Sequence, residues 1–336
     1  MKINWTNKNK PLLLGLSTAT QWIEKIAQEL SLSFHYLPKK IFADQEILVE
    51  IPVSVRNQNV FLCQSISRPA NDTLMELLIA IDALNRASAK SITLIIPYFG
   101  YARQDRKAQG REPITAKLIA NMLTFLKVAR IVTFDLHSSQ IQGFFDIPVD
   151  HLSVLPQLIL RLLTKNQIKN YVLVAPDSGG YQRVKKISEY LQSDVAVMNK
   201  KRPNKNQTQV NFILGNVFNK NLIFVDDMID TSDTLINSLE YLQKKGAKKM
   251  YVVATHAVFS NGALDKLNTL YQKGWLKKVI VSNSILIKEQ KKYSFLEIYS
   301  LSHDISNIVK AIIEGGSISE YGKKQFKMLE NYKTNE

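Results

Sequence analysis

The run FVDDMIDTSDT, residues 224 to 234, sets an apolar stretch, paired carboxylates and a hydroxyl-rich turn one after another. Ionised carboxylates are pure hydrogen-bond acceptors, so Asp226 and Asp227, closing the apolar run Leu222 to Val225, suit the vicinal hydroxyls of a pentose. Asp230, Thr231, Ser232, Asp233 and Thr234 then offer hydroxyls and the unpaired backbone N–H groups of a helix start, where geometry and helix dipole both favour an anion. The segment reads as a cradle for a sugar phosphate. The competing reading is a ligand-free strand, turn and helix, because Asp, Ser and Thr are preferred caps in any case.

Strand ends are what such groups require, and the chain supplies them. Short apolar runs alternate with amphipathic helices, the pattern of α/β domains built on parallel sheets. In the first half, 12–17, 59–66, 91–99 and 130–136 read as strands; in the second, 171–176, 194–198, 222–227 and 250–256 repeat the plan. Leu74, Leu77, Leu78, Ile81 and Leu84 line one face of a helix that Thr73 and Glu76 are expected to open as a capping box. Ligands of open parallel sheets gather beyond the carboxyl ends of strands. Arg103 and Gln104 follow one such end, His137 a second, Asp177 a third and Asp226 a fourth. Taken singly, each is equally a hydrogen-bonded turn residue; their recurrence at strand ends favours a site.

At 336 residues the chain exceeds the usual single core, so two domains are expected. The cut falls near Ser153, giving domains 1–153 and 154–322 and a basic tail, 323–336. Its lone cysteine, Cys63, excludes an intrachain disulfide framework and reads as a buried strand thiol in a cytosolic setting. Apolar runs are too short to span a membrane, and the polar first ten residues contain no signal-peptide core. The formal charge of +15 suits phosphate ligands of any kind. Its lysines are scattered in pairs with no aromatic stacking platform, which argues against nucleic acid.

The segment at 224–234 resembles the phosphoribosyl pyrophosphate motif of phosphoribosyltransferases and ribose-phosphate pyrophosphokinases. Four more stretches narrow the resemblance to the pyrophosphokinase family: IPYFGYARQDRK (96–107) is similar to its ATP-binding segment, DLHSSQIQGFFDIPVDHL (135–152) to its signature segment, APDSGGYQRVKK (175–186) to its pyrophosphate loop and NKKRP (199–203) to its catalytic loop. The resemblance runs from about Leu12 to Tyr321. It implies an α/β fold of two tandem phosphoribosyltransferase-like domains, each with a mainly parallel sheet flanked by helices. It also implies transfer of the β,γ-diphosphoryl group of ATP to O1 of ribose 5-phosphate, with Mg²⁺ as cofactor.

Residue by residue, the resemblance assigns catalysis to Lys200 and Arg202, the latter also steadying substrate phosphates. It assigns ATP binding to Phe42, Asp44, Glu46, Arg103 and Gln104, metal contact to His137 and Asp177, and ribose 5-phosphate to Asp226, Asp227, Asp230, Thr231, Ser232, Asp233 and Thr234. Locally, 199–203 also fits a solvated hairpin tip, and 42–46 an amphipathic strand with exposed acids. A homo-oligomer is implied too, a hexamer built from dimers in which 42–46 reach a neighbouring subunit's ATP site.

Departures from the family pattern matter. Lys201 replaces a usual arginine, and Gln109 and Gly110 interrupt a basic effector-binding stretch, whereas Arg56, Gln142, Ser317 and Ser319 fit that effector site. Asp233 stands where the family usually has glycine. A carboxylate about 5 Å from the bound phosphate would repel it by about 3 kcal/mol at an effective dielectric near 20, more than a hundredfold in binding. The repulsion vanishes if the side chain turns outward as a first-turn acid. Asp233 therefore separates a working enzyme from a catalytically weak paralogue that modulates an active partner by co-assembly.

Overall fold

The computed structural model describes residues 10–204, 207–287 and 292–334, with the side chains of 200–211 left out. The chain forms two compact units. The first runs through Leu152 and includes β1 (Leu12–Gly15), α1 (Ile23–Leu30), β2 (Phe34–Tyr36), β3 (Lys39–Ile41), β4 (Ile47–Val49), β5 (Asn59–Cys63), α2 (Ala70–Arg86), β6 (Ser91–Ile96), α3 (Thr115–Phe125), β7 (Arg130–Phe134) and β8 (Val149–Leu152). Its sheet has the order β2-β1-β5-β6-β7-β8 and every pairing is parallel. A sheet covered on both faces needs strands without polar alternation. Leu13, Leu14, Leu62, Leu94 and Ile95 are accordingly fully buried. β3 and β4 stand apart as an antiparallel hairpin.

The second unit comprises α4 (Leu155–Asn166), β9 (Tyr171–Ala175), α5 (Tyr181–Leu191), β10 (Asp194–Asn204), β11 (Gln207–Leu214), β12 (Asn221–Ile229), α6 (Asp233–Lys244), β13 (Met250–Ala257), α7 (Ala263–Gln272), β14 (Leu276–Ser282) and β15 (Leu296–Tyr299). Its sheet order is β11-β10-β9-β12-β13-β14-β15, parallel except for the antiparallel β10–β11 ribbon at one edge. Val172, Leu173, Leu222, Val253 and Ile280 fill its interior.

Two helices follow: α8 (Ser302–Glu314) and α9 (Ile318–Thr334). α8 belongs to the first unit, where it packs on α1 with Ile305, Ile308 and Val309 fully buried. The chain thus crosses between units at Leu152–Ser153, but 300–321, placed by the sequence reading in the second domain, folds with the first. The residues read as a basic tail are helical to Thr334. Phe326 and Leu329 are buried, and the Phe326 ring lies 5.3 Å from that of Tyr190 on α5. Apolar residues spaced three apart anchor this lysine-rich helix.

The expected capping box at Thr73 and Glu76 does not form. Helix α2 begins four residues earlier, its N-cap at Pro69 in place of Thr73, and Pro69 has no backbone N–H for an acid to cap. The Thr73 hydroxyl instead donates to the Ser67 carbonyl at 2.8 Å. Glu76 turns into the core, accepting from the Ser17 amide (3.0 Å), the Ser17 hydroxyl (2.6 Å), Gln64 Nε2 (3.2 Å) and Lys39 Nζ (3.1 Å). A fully buried carboxylate demands such partners. These bonds tie the loops after β1 and β5 to the base of the β3–β4 hairpin.

Cys63 is fully buried at the end of β5, and burial pushes its thiol far above the ordinary range. Only the thiolate is reactive. A water-soluble disulfide reagent is therefore expected to leave the native protein unlabelled and to titrate one thiol once the chain is unfolded in guanidinium; fast native labelling would contradict this burial.

Candidate functional site

In the second unit the adjacent strands β9 and β12 run parallel, β12 continuing past the end of β9, and candidate groups lie along that edge. Asp226 and Asp227 lie within β12, which runs on to Ile229. Successive residues of a strand face opposite ways. Asp227 is almost wholly buried and Asp226 is partly exposed, and both are reached by one guanidinium: Arg183 Nη1, from α5, lies 3.2 Å from Asp227 Oδ1 and 3.4 Å from Asp226 Oδ1. Asp226 Oδ1 also accepts from the Asp227 amide at 2.9 Å. Desolvation of the carboxyl within the strand, and next the Asp227 carboxylate beside it, push Asp226 upward from its usual range, an effect that its 36% side-chain exposure moderates, while Arg183 pulls the other way.

Arg183 lies within the segment 175–186, where nothing in the local pattern marks it as a site residue. Its partners lie more than forty residues away, and only the pairing of β9 with β12 makes them neighbours.

The turn after β12 is built from short-range contacts. Asp230 accepts a hydrogen bond from the Ser260 hydroxyl, so this carboxylate braces the turn. Ser232 adopts a left-handed backbone (φ 66°) immediately before α6, and its buried hydroxyl has no partner among the described residues. Thr231 and Thr234 are partly exposed. Asp233, the first residue of α6, turns outward: its Oδ1 accepts from Lys266 Nζ at 2.6 Å. The lysine ammonium, helped by the Thr231 hydroxyl, holds the Asp233 carboxyl below the usual range. This engagement by Lys266 favours the outward reading of Asp233.

Asp177 follows β9 and accepts from the Gly180 amide at 2.9 Å, capping the start of α5 and leaving its second oxygen available. Lys200 and Arg202 lie on β10, in the antiparallel ribbon with β11, where Lys200 pairs with Val210. A loop was expected there; the backbone is strand through Asn204, and the two side chains lie outside the description.

The first unit holds the other candidates. Arg103 and Gln104 occupy the turn after β6, where the Gln104 Oε1 accepts from Thr115 Oγ1 at 2.5 Å at the start of α3. That turn lies tight on the loop after β5: a Cβ on Gly100 would come within 2.4 Å of the Ile66 carbonyl oxygen. His137 is exposed after β7, the strand next to β6. Phe42, Asp44 and Glu46 cluster at the exposed tip of the β3–β4 hairpin. That tip is closed by a bond from the Phe42 amide to the Glu46 carbonyl (2.8 Å) and one from the Glu46 amide to Asp44 Oδ1 (3.1 Å). Lys40 Nζ sits 5.1 Å from the centre of the Phe42 ring.

Comparison with known proteins is decisive. Residues 12–126 match the model for the N-terminal domain of ribose phosphate pyrophosphokinase, and residues 201–322 match that for the phosphoribosyl synthetase-associated domain. A ribose-phosphate pyrophosphokinase of Fusobacterium nucleatum is 43% identical over 94% of this chain and 98% of its own. The chain belongs to the ribose-phosphate pyrophosphokinase family. The relative of that name from Mycoplasma genitalium is 44% identical, covering 91% of this chain and 92% of its own. The crystal structure of phosphoribosylpyrophosphate synthetase from Mycobacterium smegmatis superposes with a TM-score of 0.82 at 37% identity, covering 91% of this chain and all of that one. The family assignment and α/β architecture read from the motifs agree with these matches. The paralogue alternative loses its basis, since Asp233 was its one strong support.

Among the described residues no three His, Cys, Asp or Glu side chains cluster as a metal cage. Mg²⁺ does not require one: it prefers oxygen, keeps several waters and is held by one or two carboxylates together with substrate phosphates. An exposed, half-engaged Asp177 fits that use better than the imidazole of His137 does.

The sign of the Asp226 shift gives a stability test. A carboxyl whose native pKa is raised supports the fold fully below its unfolded value, about 3.9, and that support is lost as pH rises through the native value. Asp226→Asn is therefore expected to raise Tm at neutral pH, with the gain fading as pH falls toward about 4. Calorimetric scans across pH check this; equal Tm values at neutral pH would refute the shift.

Proposed function

We propose that the chain is a Mg²⁺-dependent ribose-phosphate diphosphokinase that moves the β,γ-diphosphoryl group of ATP to O1 of ribose 5-phosphate, yielding phosphoribosyl pyrophosphate and AMP. The observation that carries this reading is the Asp226–Asp227 pair, held by Arg183 at a strand end directly before the hydroxyl-rich turn and helix α6. Here the carboxylates accept from the ribose hydroxyls, and the amides and hydroxyls of 231–234 receive the 5-phosphate. Arg183 offsets part of the repulsion between the two acids.

Bound Mg²⁺ would be held by Asp177, with His137 acting through water, and would supply neutralisation of phosphate charge. The remaining work is positioning. Arg103 and Gln104 grip the nucleotide; Phe42 supplies a face for the adenine ring, and Asp44 and Glu46 accept from its exocyclic amine. Lys200 and Arg202 place positive charge where it builds up on the transferring group, each worth roughly 10²- to 10³-fold in rate. The hairpin tip bearing Phe42 serves the site of a neighbouring copy, in a hexamer assembled from dimers. A cytosolic setting accords with the single, reduced and buried Cys63.

Two measurements test this. AMP release from ATP with ribose 5-phosphate is expected only with added Mg²⁺, to stop with a chelator, and to fall roughly 10²- to 10³-fold in Lys200→Ala; turnover unaffected by that substitution would remove its catalytic role. Sharing of sites predicts that Lys200→Ala and Asp44→Ala chains, each nearly inactive alone, regain part of the activity when co-assembled. No recovery would confine the hairpin to its own subunit.

A further inference from the structure

Lys266 lies outside every motif, on α7, yet its ammonium reaches the phosphate turn thirty-three residues away: Nζ is 2.6 Å from Asp233 Oδ1 and 3.4 Å from the Thr231 carbonyl oxygen. The lysine therefore straddles the stretch 231–233 from outside. Folding stability does not account for the pair, because both side chains are well exposed, Lys266 at 38% and Asp233 at 60%, and exposed ion pairs contribute little. What the lysine does change is the local field. Without it, the first turn of α6 would present a bare carboxylate exactly where the helix terminus would otherwise favour an anion.

On the reading of this turn as the ribose 5-phosphate site, we propose that Lys266 is a positioning residue that makes Asp233 compatible with the sugar phosphate, drawing its carboxylate outward and cancelling its charge. Two neighbours bear on this. Ser232, between the two atoms that Lys266 holds, keeps a buried hydroxyl with no partner among the described residues, as a turn shaped around an absent polar ligand would. Asp233 stays ionised in the free protein, its carboxyl held low by this same lysine, so the charge to be cancelled is present at neutral pH. The acid and the base thus act as one unit, and either alone alters the cradle.

The test is calorimetric binding of ribose 5-phosphate to the full-length chain, which does not depend on turnover, in a double-mutant cycle. Lys266→Met is expected to weaken binding roughly tenfold, the repulsion of an exposed, partly screened carboxylate, while leaving ATP affinity unaltered. Lys266→Arg should bind close to the parent, and Lys266→Met added to Asp233→Asn should cost nothing further. An unchanged affinity in Lys266→Met overturns the proposal. An equal loss in both backgrounds also overturns it, since the lysine would then touch the phosphate directly. Failure of the unaltered chain to bind ribose 5-phosphate at all would instead strike the site assignment, and the proposal would fall with it.

Discussion

Parallel pairing is the constraint from which the rest of this structure follows. Strands that all run one way must be joined by crossovers, and the helices in those crossovers cover both faces of the sheet. Polar side chains are thereby driven to the strand ends, and each sheet gathers them on its carboxyl edge. Asp177 and Asp226 lie on adjacent strands or the turns that follow them because β9 pairs with β12, and Arg103 and His137 follow adjacent strands because β6 pairs with β7. The one antiparallel element of the larger sheets, the β10–β11 ribbon, carries Lys200 and Arg202. It lies at a sheet edge, where a two-stranded ribbon can extend beyond its neighbours.

A chain of net charge +15 might be expected to hold its candidate anion sites simply by excess lysine. The structure works differently: several of its acids are held by a particular cation. Arg183 bridges Asp226 and Asp227, Lys266 takes Asp233, and Lys39 joins the partners of Glu76. A buried or crowded carboxylate that lacked such a partner would be costly. Pairing permits acids and phosphate-binding groups to occupy the same few ångströms.

Much of the fold was legible because buried parallel strands leave continuous apolar runs, and each of the eight runs read as strands either contains a strand or lies within one. β14 went unread because Lys277 and Lys278 break its apolar run, and β2 because three residues give no pattern. Motif residues such as Asp226 and Asp177 could be located, since strand ends are local features. Their partners could not. Arg183, Lys266 and Ser260 reach the site through pairings dozens of residues apart, which no local spacing encodes. Glu76 failed in the opposite way: its local pattern imitated a cap, and a long-range network claimed it. The direction of Asp233 was likewise a tertiary fact, settled by a lysine on another helix.

The return of α8 to the first unit has a consequence for how the chain is made. A ribosome releases residues in order, and domains tend to fold as they emerge. The face of α1 that Ile305, Ile308 and Val309 cover has no cover until the last tenth of the chain is synthesised. By then the whole of the second unit's sheet has already been extruded. The first unit to be born thus waits for residues made after nearly all of the second, and a message cut short before Ser302 leaves a nascent chain with an apolar helix face open to chaperones and proteases.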